Sequence, residues 1–232
     1  MTPVHPGYRH PEADLESRLA ALEPVGRLTP ATRGLALAAA ATALGRRDLT
    51  RGVLRMLLKR GVPADRLREA LLQTYLFAGY PRAINALAEL AVLVPLPEGS
   101  AVDLEPRERE GHWLRDGRAL CRRVYGPLYE RLLRTLGRIS PDLGRWMVVE
   151  GYGMVLSRPG LSAPERELCA VAALLPLDVP DQLRAHLRGA LLVGASREEI
   201  EDAVETAALL APEAREEAAR LLEEVAEAHP AP

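Results

Sequence analysis

RGLALAAAATALGRRDLTRGVLRMLLKRGVPADRLREALLQTYLFA, residues 33–78, and RELCAVAALLPLDVPDQLRAHLRGALLVGASREEIEDAVETAALLA, residues 166–211, align without a gap at an offset of 133. Leu35/Leu168, Ala39/Ala172, Asp48/Asp181, Arg51/Arg184, Leu54/Leu187, Arg55/Arg188, Gly61/Gly194 and Ala70/Ala203 are identical pairs. An ungapped internal repeat means that one structural unit is used twice. The positions that agree serve the fold, so the unequal ones carry the functional information. Glu167 and His186 of the second copy stand opposite Gly34 and Val53 of the first.

The unit is helical. Ser196-Arg197-Glu198-Glu199 has a capping-box pattern, followed by Ile200, Ala203, Val204, Ala207 and Ala208 at helical spacing. Ser162-Ala163-Pro164-Glu165 is a second such start, and Ser140-Pro141-Asp142 a third with Pro at the first helical position. Each copy reads as three helices: 30–44, 48–60 and 63–78, then 163–175, 180–193 and 196–210. Gly61 and Gly194 end the matching second helices. Further helices are expected at 81–93, 107–137, 141–156 and 212–228. No segment alternates like a strand, so the fold class is all-α. The expected organisation is an N-terminal segment over 1–29, a first repeat over 30–94, a Pro- and Gly-rich linker over 95–106, and a second repeat over 107–232.

Composition excludes several function classes. With 30 basic and 32 acidic residues interspersed, the chain has no basic stripe for nucleic acid. Its apolar runs are too short for a bilayer, and no signal peptide is evident, so a cytoplasmic protein is expected. Cys121 and Cys169 have no metal-ligand spacing and read as buried, inert thiols. A single lysine, a single asparagine and two glutamines lean towards a thermophile, a composition that a GC-rich genome produces equally well.

His186 falls on the apolar stripe of Leu183, Leu187, Ala190 and Leu191. One reading is a core histidine satisfied by hydrogen bonds. The other uses Glu167 on the preceding helix, whose carboxylate would orient the imidazole and make a general acid/base. Glu167 is equally a first-turn glutamate favoured by the helix dipole, and both roles are compatible. Arg184 and Arg188 point away from His186 and are expected in surface ion pairs, with Asp181 the partner of Arg184 as Asp48 is of Arg51. Phe77-Ala78-Gly79-Tyr80-Pro81 ends one helix and restarts the next, and the second copy lacks it.

These stretches resemble the carboxymuconolactone decarboxylase family, which includes the alkylhydroperoxidase-D-like proteins. Residues 158–204, from RPGLSAPERELCAVAALL to SREEIEDAV, carry the resemblance. LREALLQTYLFAGYPRAINAL at 67–87 and VYGPLYERLLRTLGRISPDLGRWMVVEGYGMVLSRPG at 124–160 extend it over most of the chain. Alkylhydroperoxidase-D-like members place a Glu, a CxxC pair and a His in that order. Here Glu167 and His186 match, while Val179 and Gln182 fill the cysteine positions. The resemblance to the decarboxylase branch implies opening of a lactone acid with loss of carbon dioxide by proton transfer, with no metal and no organic cofactor. It implies His186 as proton carrier, Glu167 as its orienting group, and Arg158 or Arg166 as ligand of a substrate carboxylate. A composite pocket, His186 with the Gly79-Tyr80-Pro81 turn of the first copy or a neighbouring chain, is expected. The expected partners are a small carboxylate or lactone and further copies of the chain, a homo-oligomer with a trimer favoured. Two alternatives stand: a degenerate member that only binds a ligand or partner, and a thiol peroxidase or redox protein using Cys169 or Cys121.

Overall fold

The computed structural model describes residues 11–23, 26–96 and 111–228. Helices α1 (Pro11–Leu22), α2 (Pro30–Leu44), α3 (Arg47–Lys59), α4 (Ala64–Gln73), α5 (Tyr75–Ala78) and α6 (Tyr80–Leu93) form the first half. The second half holds α7 (Trp113–Tyr125), α8 (Tyr129–Ile139), α9 (Pro141–Trp146), a π-helical segment (Met147–Leu156), α10 (Ala163–Leu174), α11 (Pro180–Val193), α12 (Arg197–Ala208) and α13 (Arg215–Ala228). Among the described residues there is no strand. No helix there is long and apolar enough to cross a membrane.

The repeat is exact at the helix starts. Residues 30, 47 and 64 open α2, α3 and α4, and the same positions plus 133 open α10, α11 and α12. Local chemistry explains this. Thr29 caps α2 by accepting from Thr32 N, and Ser162 and Ser196 close full capping boxes with Glu165 and Glu199. Gly61 and Gly194 take left-handed backbone at φ +81 and +106, where a Cβ is disfavoured.

Two expectations need correction, and one segment gains detail. The helix expected over 63–78 breaks at Thr74, whose hydroxyl donates to Ala70 O, so α5 leaves as a separate turn. The helix expected over 107–137 starts at Trp113 within the described residues and breaks at Gly126–Leu128, where Gly126 has φ +52 and Pro127 lacks an N–H. The segment over 1–29 holds a helix, α1, which buries Leu15 and Leu19 against the first core. From residue 97 on, the expected linker lies outside the described residues.

The repeats are interlocked. α2 and α10 lie at the centre, and alanines let the helices approach closely. Ala36 and Ala40 of α2 belong to the core of the second repeat, while Cys169 and Ala173 of α10, the matching positions, belong to the core of the first. Cys169 is therefore a packing residue with the role of Ala36. The charges are exchanged in the same way. Arg33 of α2 pairs with Asp202 of α12, and the matching Arg166 of α10 pairs with Glu69 of α4 at 2.9 Å. Both arginine side chains are at most 2% exposed. At the pseudo-two-fold axis the equivalent residues Thr32 and Glu165 meet at 3.4 Å.

Candidate functional site

Glu167 is the second residue of α10 to be fully enclosed, and α11 carries His186 alongside it. The imidazole Nδ1 and Glu167 Oε2 are 2.8 Å apart, with both side chains at or below 10% exposure. Gly189 makes room for this pair, since a Cβ there would lie 2.8 Å from Glu167 Oε2 and 2.7 Å from Val124 Cγ1. In the first repeat the same space is closed: a Cβ on Gly34 would meet Val62 and Leu57 side chains, and Val53 is buried where His186 stands. The unequal positions thus exchange a packed apolar contact for a buried acid–imidazole pair.

What covers the pair is the segment between the repeats. α7 and the π-helical segment lie over α11 and bury Cys121, Tyr125, Tyr152 and Leu156. They touch backbone to backbone. A Cβ on Gly117 would come 2.0 Å from Val148 O, and one on Gly153 2.0 Å from Trp113 O. The wide turns of a π-helix are rare and concentrate at functional sites. This one presents Met147, Glu150, Gly151 and Tyr152 to a cavity of about 310 Å³.

That cavity is walled by His186 and Gln182 of α11, by Tyr125 of α7, and by Leu76 and Phe77 of the first repeat. The Phe77 ring meets the imidazole edge-on at a centroid distance of 5.1 Å. With Nδ1 held by Glu167, the His186 Nε2 is left for the cavity. A second carboxylate, Glu150, accepts from Tyr75 OH at 2.9 Å. Burial and the Glu150 carboxylate push the Tyr75 phenol far up, so Tyr75 remains the donor.

The other expected site residues lie elsewhere. Arg158 makes a bidentate contact with Glu69, and Arg166 is held by Glu69, Gln73 Oε1 and the carbonyls of Arg158 and Pro159. Neither arginine lines the His186 cavity. Burial alone would raise the Glu69 carboxyl, but the hydrogen bonds and charges of Arg158 and Arg166 outweigh it and hold the carboxyl below its ordinary value. Gly79, Tyr80 and Pro81 do not line the cavity either. Tyr80 reaches it indirectly, stacking on Tyr75 at 4.5 Å. Arg184 pairs with Glu224 and Arg51 with Glu89, in place of the expected Asp181 and Asp48.

The thiols are poorly placed for redox chemistry. Cys121 and Cys169 are buried, and desolvation pushes each up to about 12, with the Glu167 charge adding to the effect at Cys121. Only a thiolate is a good nucleophile, and at neutral pH these stay protonated. Glu150, Tyr75 and Tyr152 escaped the sequence reading. The signal for Glu150 and Tyr152 was the Gly-x-Gly at 151–153 in an otherwise apolar helix, where Gly153 makes a close backbone approach, while Tyr75 had no such signal.

The sequence model of the "Carboxymuconolactone decarboxylase family" matches residues 11–91 and 141–224, so each match spans one repeat with its preceding helix. "Peroxisomal protein 2" of Schizosaccharomyces pombe is 32% identical over 184 residues, covering 75% of this chain and 83% of that protein. A protein of the same name in Saccharomyces cerevisiae is 34% identical over 162 residues, covering 59% of this chain and 57% of its own length. The "4-carboxymuconolactone decarboxylase" of Acinetobacter baylyi is 34% identical over 74 residues, 32% of this chain and 55% of that protein.

Proposed function

The chain belongs to the carboxymuconolactone decarboxylase family, and from that premise we propose that it is an acid/base lyase acting on a small lactone or carboxylate, with His186 as proton carrier. The observation that carries the reading is the Nδ1–Glu167 contact of 2.8 Å beside an open cavity. An ionised carboxylate only accepts hydrogen bonds, so it selects the tautomer with the proton on Nδ1. The Nε2 lone pair is then directed to the cavity as a base. Once it has taken a proton, the imidazolium is stabilised by Glu167 and can return that proton to a carbanion or leaving oxygen. Apolar walls from Leu76, Phe77, Met147 and Leu156 limit water around the reacting atoms. Glu150, steadied by Tyr75, supplies a second carboxylate on the same wall as the π-helical segment. The first repeat has Gly34 and Val53 at the paired positions, which gives one site per chain.

Assembly into a homo-oligomer, with a trimer expected, belongs to the same proposal. Tyr80, Ile84 and Val92 leave an apolar edge of α6 exposed. Light scattering that gives a monomer at micromolar concentration removes this part.

The test is turnover of a panel of lactone acids, followed by NMR in deuterated water to detect ring opening, carbon dioxide loss and deuterium entry. For the compound that reacts, His186→Gln is expected to lower the rate by about 10²–10⁴-fold, the usual range for a positioned acid/base. His186→Gln turning over at the wild-type rate would sink the assignment. A panel that binds in a His186-dependent manner with no deuterium entry would point to the non-catalytic, ligand-binding alternative.

A further inference from the structure

A second cleft, of about 450 Å³, opens between α8 and α11. Tyr125, Met147 and Gln182 wall both it and the His186 cavity, so the two are neighbours around one side of α11. Arg188 and Arg131 line it, one from each helix. Arg188 is unusual. Its side chain is half-buried with an enclosed Nε that has no hydrogen-bond partner among the described residues, as is also true of the Nε of Arg33 and Arg166. Unlike those two, neither Arg188 nor Arg131 forms an ion pair among the described residues. By contrast Arg184, one turn earlier on α11, is paired with Glu224, and the fully enclosed Arg33 and Arg166 each have a carboxylate.

The repeat shows that this burial is not required by the fold. Arg55 holds the matching position on α3 and is exposed to solvent. In the second repeat α7 and α8 cover the region and half-bury Arg188 without forming an ion pair with it among the described residues. Asp181 is on the cleft wall but is itself exposed and makes no ion pair among the described residues. Burial pushes the Arg188 guanidinium down from its ordinary value, opposed only in part by Tyr125. A guanidinium that stays charged in such a place is stabilised by an anion from solution.

We propose that this cleft is an oxyanion-binding subsite, in which Arg188, with Arg131 from the α8 side, takes the carboxylate or phosphate group of a small molecule. Continuity with the cavity through Gln182, Tyr125 and Met147 places that anion beside the proton carrier. This second step rests on the acid/base reading of His186, whereas the subsite itself does not.

The experiment is calorimetric titration of the full chain at low ionic strength with succinate and with inorganic phosphate, using dimethyl succinate as the uncharged control. The expected result is one site per chain for one of the two anions and none for the diester. Which anion binds identifies the oxyanion. Arg188→Gln should weaken binding at least tenfold, equivalent to about 1.4 kcal/mol, and Arg188→Lys should restore part of it. Arg131 is exposed, so Arg131→Gln will fold and should weaken binding several-fold even if Arg188→Gln does not fold. His186→Gln should leave the affinity within about threefold. Anion binding that survives in His186→Gln while turnover is untouched by that change would remove the acid/base reading and leave the subsite standing. Failure of both anions to bind, equal binding of the diester, or unchanged affinity in Arg188→Gln and Arg131→Gln would overturn the subsite.

Discussion

Replacing Glu69 by Gln should unfasten the two repeats. Glu69 is the acceptor shared by Arg166, whose side chain is 2% exposed, and by Arg158, which is 38% exposed. Removing one member of a buried ion pair leaves the other charge uncompensated and costs about 3–5 kcal/mol. Arg166 keeps Gln73 Oε1 and two backbone carbonyls, and Gln can still accept one hydrogen bond, so the low end applies. Arg158 is too exposed to add to the figure. The expected loss is about 3 kcal/mol, and at roughly 2–4 °C per kcal/mol for a chain of this size the melting point should drop by about 6–12 °C. Urea denaturation followed by circular dichroism at pH 7, with calorimetry beside it, measures both.

The pH dependence gives an independent check. In the folded chain the Glu69 carboxyl is held below its ordinary value by Arg158 and Arg166. A carboxyl depressed on folding contributes its stabilisation above the unfolded value and loses it as pH falls through the folded value. The difference between wild type and Glu69→Gln should therefore be full at pH 7 and shrink as the pH drops below about 4.5. Asp202→Asn, which strips the partner of Arg33, should cost more, towards the upper end of about 3–5 kcal/mol, because Arg33 has no other acceptor among the described residues and its pair is the more deeply buried. A loss under about 1 kcal/mol for Glu69→Gln at pH 7, or a gap that widens on acidification, would refute the cross-repeat ion pair as a structural fastening.

The covering segment and the site make three further predictions. Gly153→Ala should destabilise by about 3 kcal/mol or more in thermal melts, because its Cβ would meet a backbone oxygen that cannot move without separating α7 from the π-helical segment. Gly189→Ala should cost only about 0–2 kcal/mol in thermal melts, since overpacking of about 1–3 kcal/mol is partly offset by about 1 kcal/mol of helix propensity. It should nevertheless suppress His186-dependent activity, because the new methyl group displaces the Glu167 carboxylate; retained activity would show that the carboxylate position is immaterial. Cys121 and Cys169 should resist a disulfide-exchange reagent at pH 8 in native buffer and react fully in denaturant, and rapid native labelling of either would contradict their burial.

What the sequence by itself determined is local. Helix starts at 30 and 64 and at 163, 180 and 197 follow from Ser, Thr and Pro placed at or just before them, residues that act within one turn, whereas the start at 47 has no such cap. The Glu167–His186 contact was also within reach, since it joins neighbouring helices through two positions where the repeats disagree. Helix α1 escaped because Leu15 and Leu19 make a short stripe inside a charged segment, and only the core they meet stabilises it. The π-helical stretch could not be read either, because its wide turns depend on Gly117 and Gly153 bringing two backbones together. The arginines show the difference most plainly. A guanidinium next to the Glu167–His186 pair reads as a ligand for substrate, yet Arg158 and Arg166 are held by Glu69 about a hundred residues away, while Arg188 forms no ion pair among the described residues. Helix formation is decided by contacts three and four residues apart, so the chain spells it out. Which charge is neutralised is decided by which surfaces the packed helices bring together, and that exists only once the repeats have interlocked.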